Sequence, residues 1–345
     1  MWTSGHRVSS RQAWVGSFLA ALAPAASLPG QAARFGAWGW LGAVFATPVV
    51  LVVLWLIRSL GKEGLAADLT ERWGWFGQGV RVVYYLWAVT LAALTAGGCV
   101  DRLGRTDYGE VPGWLAAALL AGVTAYLISR GWEAFLRAAQ VFFLTLLAAL
   151  GLFFALGAAN LDGANLRPEG WEEVARGVGG IWPTLATLSV GALGMFIPRK
   201  PLQKGESLPR RWAVGWCLTA AGLCILVIGA LGAELTAKAP LPFFLALQGL
   251  GFSGGFQRLE AMGTAVWVLS DLVLVGMAAL AAAQVAEDRR GAWPVLIAAV
   301  LGGVCLPNGV VARAQGPLLA VNVVLGLVVP TLVAVSGGKD KRSSG

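Results

Sequence analysis

Histidine is nearly missing from this 345-residue chain; His6 is the only one. Cysteine is scarce as well, at four positions, Cys99, Cys217, Cys224 and Cys305, and none forms a C-x-x-C pair. From this set no zinc site, no histidine general base and no Ser-His-Asp triad can be assembled. The cysteines read as small packing residues in or beside apolar helices, and no metal or cofactor is called for. The usual chemistry of an enzyme is therefore absent. Charge is scarce too: 13% of residues are charged, and the mean hydropathy is +0.70. No soluble domain has that balance.

What fills the chain instead is apolar sequence. Ten stretches, near 11–30, 37–57, 76–100, 113–129, 132–158, 179–197, 211–235, 256–286, 292–308 and 317–336, read as membrane crossings. A crossing needs about 20 mostly apolar residues, because a helix rises about 1.5 Å per residue through a core about 30 Å thick. Inside lipid the backbone must satisfy its own hydrogen bonds. The expected fold is thus an all-α integral membrane protein of about ten transmembrane helices, a single domain over 1–345.

The cations are sorted by side. With the N-terminus inside, the inner segments hold 18 of the 26 Lys and Arg, densest from Arg199 to Arg211. The outer segments hold the other 8, against 9 acids. This positive-inside bias puts both termini in the cytoplasm. The net charge of +8 then reports topology and contact with anionic lipid, and does not point to nucleic acid. A signal peptide at the start is the lesser reading, because the first apolar run continues to Pro29 and is long enough to span.

Between the spans, segment 61–75 is too polar to cross and reads as an inner amphipathic helix. Segment 159–178 reads as an outer loop with a short helix, and 239–255 as an interfacial or re-entrant piece broken by Pro and Gly. Five spans plus five give an inverted repeat, with halves at about 11–158 and 179–336. In transporters of that design the site lies between interrupted helices at corresponding positions. Here those are the first and sixth spans, which are expected to break around 22–27 and 187–194. Leu22, Ala23, Pro24 and Ser27 in the first, and Thr187, Ser189, Gly191 and Gly194 in the sixth, are the candidate ligand contacts. Freed N–H groups at a half-helix start favour a carboxylate.

Asp271 stands alone as an acid well inside a span, so it faces a partner, a cavity or a proton path, or makes a structural hydrogen bond. Ser270 beside it completes a candidate site. Tyr84 and Tyr85 are candidates for a cytoplasmic gate, Arg81 for snorkelling to the interface, and Gln140 and Thr145 for bonds between helices. Trp38, Trp40, Trp114 and Trp293 read as an interfacial belt.

Three segments resemble the spore germination permease family, the B subunit of nutrient germinant receptors. VSSRQ (8–12) resembles that family's I-S-x-R-Q entry to the first helix. RGWEAFLRAAQVFF (130–143) resembles its R-[RK]-G-x-E-x-x-x-R turn through Gly131, Glu133 and Arg137. FQRLEAMGTAVW (256–267) resembles its R-L-[DE]-A segment through Arg258, Leu259, Glu260, Ala261 and Trp267, with Pro242 and Phe243 upstream. The resemblance implies the fold of the amino acid, polyamine and organocation transporter superfamily. It implies nutrient sensing in a bacterial cell membrane or the inner membrane of a spore, with two other receptor subunits as partners. The family's Gly-Glu in the sixth helix is here Leu188 and Ser189, and its Lys in the eighth is Leu274. The missing acid at Ser189 points to a small nutrient with a neutral side chain, such as an amino acid. Two functions compete: a receptor subunit that signals germination, and a proton- or sodium-coupled secondary amino acid transporter.

Overall fold

The computed structural model describes residues 8–57, 60, 63–105, 111–168, 170–198, 208–249, 259–306 and 310–336. Among these the regular elements are helices: α1 Ser10–Leu22, α2 Leu28–Ala33, α3 Leu41–Leu56, α4 Leu65–Arg105, α5 Gly113–Ser129, α6 Trp132–Ala159, α7 Trp171–Gly177, α8 Ile181–Ser189, α9 Leu208–Leu231, α10 Ala233–Lys238, α11 Pro242–Gly249, α12 Leu259–Val285, α13 Ala292–Cys305, α14 Val310–Val323 and α15 Val329–Ser336. The expected loop residues 199–207, segment 250–255, Arg258 and the termini lie outside the described residues.

Seven helical runs are long and apolar enough to cross a membrane: Ser10–Ala33, Leu65–Arg105, Trp132–Ala159, Trp171–Phe196, Arg210–Leu231, Met262–Val285 and Gly316–Ser336. The stretches expected at 37–57, 113–129 and 292–308 form helices of 16, 17 and 14 residues. The helix α5 coincides with the stretch expected at 113–129 and is bounded by Pro112 and Gly131, whereas α3 and α13 lie inside theirs, at Leu41–Leu56 and Ala292–Cys305.

The first span opens on a reciprocal cap. Ser9 Oγ accepts from the Gln12 amide at 3.3 Å, and the Gln12 side chain accepts from the Ser9 amide at 3.4 Å. Thirteen residues on, the helix tightens into a 3₁₀ turn over Ala23–Ser27 before α2 resumes. Pro24 and Pro29 explain it, since each lacks the N–H that an α-helical bond to the residue four back requires. The sixth span behaves alike: α8 gives way to a 3₁₀ stretch over Val190–Phe196. Both spans tighten and do not break as expected around 22–27 and 187–194: at each junction the backbone keeps right-handed helical angles, from Leu22 to Leu28 and from Ser189 to Val190.

Segment 61–75 is helical from Leu65, and its Leu65, Ala66 and Leu69 are buried. A sharp kink at Gly74 (φ 54°) turns it into the long run of α4. At the fold's centre lies α12, apolar on all sides and buried from Leu272 to Ala283. It packs on α1, α4, α5, α6 and α13. Small residues let α4 and α13 approach closely; a Cβ on Gly302 would lie 2.2 Å from the Ala93 carbonyl oxygen.

Candidate functional site

The helical face of α4 at Leu91, Leu94, Thr95, Gly98, Asp101, Arg102 and Arg105 follows three- and four-residue spacing. It walls a cavity of about 200 Å³. The opposite walls come from the 3₁₀ turn of the first span (Ala23, Pro24, Ser27), Gln31 of α2, Thr187 and Val190 of the sixth span, Asp271 and Leu274 of α12, and Asn322 of α14. That volume lies below the range of about 300–1,000 Å³ typical of drug-sized ligands, so the cavity suits a small metabolite.

Its chemistry is concentrated at one side. Arg102 forms an ion pair with Asp271; the Asp271 side chain is buried and that of Arg102 largely so. The Cys99 thiol lies beside the same pair. One turn further, Arg105 Nε lies 3.0 Å from Asp101 Oδ1. Two guanidinium groups and two carboxylates thus border one small space, with no net formal charge. Across from them, the Gln31 amide donates to Ser27 Oγ at 3.2 Å. The Gln31 oxygen Oε1 is buried and has no partner. An unpaired buried acceptor is costly unless something donates to it. The space therefore offers cations for an acceptor, and carboxylates and an amide oxygen for a donor.

The structure brings together some of the expected contacts and separates others. Ala23, Pro24, Ser27, Thr187 and Asp271 line the charged cavity. Ser189, Gly191 and Gly194 line a second, mostly apolar space on the other side of the same segment. Leu22 is fully buried. Ser270 Oγ donates to the Leu19 carbonyl at 3.2 Å, so it holds α1 to α12. Tyr84 is buried, and its hydroxyl donates to the Leu325 carbonyl in the widened turn Val324–Val328. The Tyr85 hydroxyl donates to the Gly291 carbonyl at 3.1 Å. Arg81 does more than reach for an interface: it donates to Thr70 and to the Val285 carbonyl, and pairs with Glu287 at 2.7 Å. Thr145 bonds the Val141 carbonyl of its own helix and not a neighbouring one.

Arg102, Arg105, Asp101, Gln31 and Asn322 were not among the expected site residues. The apolar run ends at Val100, so Asp101 and Arg102 read as loop residues. The helix continues to Arg105, which carries them back over the cavity. The signal was available in the spacing of Thr95, Gly98 and Arg102.

The three family-like segments turn out to be joints between elements. VSSRQ is the capped start of α1, with the Val8 amide donating to the Pro198 carbonyl at 3.2 Å. Gly131 takes φ +101° at the start of α6, followed by an Arg137–Glu133 pair at 3.0 Å. The Trp267 indole donates to the Ala23 carbonyl at 2.9 Å and packs on Phe243 at 4.8 Å between ring centres.

Residues 20–288 match the family described as spore germination protein. Spore germination protein KB of Bacillus subtilis (strain 168) is 22% identical over 273 residues, spanning 74% of this chain and 71% of that protein. The family is of permease type and not an enzyme class. A match across most of the chain, on a helical fold with seven membrane-length helices, has one meaning: the chain belongs to the spore germination permease family, as an integral membrane protein.

Proposed function

We propose that this chain is the membrane subunit of a spore germinant receptor that binds a small zwitterionic nutrient, an amino acid, in the charged cavity and signals germination. One observation carries the reading: paired guanidinium and carboxylate groups border a space of about 200 Å³ that also holds an unpartnered Gln31 oxygen. A zwitterion carries the complementary charges on adjacent atoms. Its carboxylate meets Arg102 and Arg105, and its ammonium meets Gln31 Oε1 and the Asp101 or Asp271 carboxylate. Leu274 and Val190 leave an apolar wall for a neutral side chain. The spore relative, germination protein KB, supports the setting.

In this reading the protein lies in the inner membrane of the spore, with ten spans in two inverted halves, both termini in the cytoplasm and two further receptor subunits as partners. The test uses spores carrying the wild type or Arg102→Gln at matched membrane levels. The wild type should germinate on at least one neutral amino acid, and the variant should require at least tenfold more of it. Proteoliposomes of the wild type should show no amino acid counterflow. Robust counterflow would replace the receptor reading with that of a coupled transporter.

A further inference from the structure

Behind the 3₁₀ segment of the sixth span lies the second cavity, of about 70 Å³. Thr187 and Val190 face the charged cavity, while Leu188, Ser189, Gly191 and Gly194 face this one. Its remaining walls come from α1, α3, α9 and the turn around Gly326. Among the described residues no charged side chain lines it.

Trp212 and Trp216 both border this space. They lie four residues apart and so share one face of α9. An indole N–H is a donor only. In both residues Nε1 is buried and donates to nothing, and Trp216 is 1% exposed. The hydroxyls of Ser17 and Ser189, which donate to the Ala13 carbonyl at 3.0 Å and the Leu185 carbonyl at 2.5 Å, do not accept from either indole. Phe18 and Phe143 pack on the Trp212 ring at 5.5 and 5.1 Å between ring centres, which holds it in place. Two orphaned donors beside an apolar hollow are a recognition pattern. They ask for an oxygen acceptor on an apolar body, and the described lining residues offer no opposite charge to a charged ligand.

We propose that this cavity is a second binding site, for a small uncharged molecule that carries a carbonyl-type oxygen on an apolar frame. It is independent of the amino acid reading of the charged cavity. A carbonyl oxygen has two lone pairs and accepts from two donors.

The test is a titration of the full chain, ¹⁵N-labelled at the indoles and held in lipid nanodiscs, with cyclopentanone. Cyclopentane, of similar shape but without an acceptor, is the control for partition into lipid. Trp212→Phe and Trp216→Phe assign the two resonances. Cyclopentanone should move both saturably while cyclopentane leaves them in place. Each Phe variant, with its other indole resonances unchanged, should bind cyclopentanone about fivefold more weakly, the effect of one lost hydrogen bond. Static resonances for Trp212 and Trp216 overturn the proposal. So do shifts that grow linearly in step with every other indole, or shifts that cyclopentane reproduces, since both report partition and not a site.

Discussion

Arg102 and Asp271 stand on different helices, and neither charge is tolerable alone at their depth in the fold. Breaking a buried pair by removing one partner costs about 3–5 kcal/mol, whereas replacing both with apolar groups of similar volume is often neutral. Arg102→Met and Asp271→Leu should therefore each destabilise the protein strongly. The double variant should recover most of the loss, as read by thermal unfolding in matched detergent. Asp271→Asn keeps the size but leaves the Arg102 charge uncompensated, so it should weaken both stability and ligand response. Recovery of stability in the double variant without recovery of binding would assign the pair both duties. Asp271 was legible as the lone acid within an apolar run. Its partner was not, because hydropathy ends the span at Val100 while the helix runs on to Arg105. Gln31 escaped notice for a related reason: a single polar residue in a span stands out only once its oxygen is known to lack a partner.

Elements tell a similar story. The places where the first and sixth spans change were legible, because proline removes donors and clustered glycine and hydroxyl residues mark them, but the break expected there does not form: the backbone tightens and stays right-handed helical. What the sequence does not disclose is what holds the tightened turns. The Trp267 indole accepts that task at the Ala23 carbonyl, and Ser270 at the Leu19 carbonyl. Trp267→Phe should cost at least about 1–3 kcal/mol, the penalty for leaving a buried group unpaired, measured by thermal unfolding. Its loss should exceed that of Trp75→Phe, at an exposed ring. In the sixth span, a Cβ at Gly194 would lie 1.9 Å from Ser17 Oγ, and the next atoms are 3.3 Å or more away. Gly194→Ala should then destabilise by about 1–3 kcal/mol, as overpacking does. Adding Ser17→Ala, which removes the offending oxygen, should restore most of it. A null effect of Gly194→Ala would mean that the segment is not pressed against α1. Seven of the expected spans form helices of membrane length, and the other three form helices of 14–17 residues whose apolar sequence is as continuous.

At the scale of the whole molecule, the charge sorting and the ten-span reading predict a specific orientation. In a cysteine-free background, Trp171→Cys should react with an impermeant maleimide added outside intact cells, and Glu63→Cys only after the membrane is opened. The reverse pattern would invert the topology. The family-like motifs were legible and led to the right family, yet they form caps, turns and packing joints and do not line the charged cavity, apart from the Ala23 carbonyl that Trp267 holds. Motifs of that kind specify how the elements meet, and the ligand contacts arise from residues scattered over five helical runs. The central claim is that this cavity recognises the paired charges of an amino acid. The most direct measurement is equilibrium binding of neutral amino acids, and of their α-carboxamides, to the purified protein in nanodiscs. The account predicts saturable binding of at least one amino acid and at least tenfold weaker binding of its carboxamide, which lacks the carboxylate that Arg102 and Arg105 meet. Equal binding of acid and amide, or no binding of any neutral amino acid by the folded protein, would contradict it.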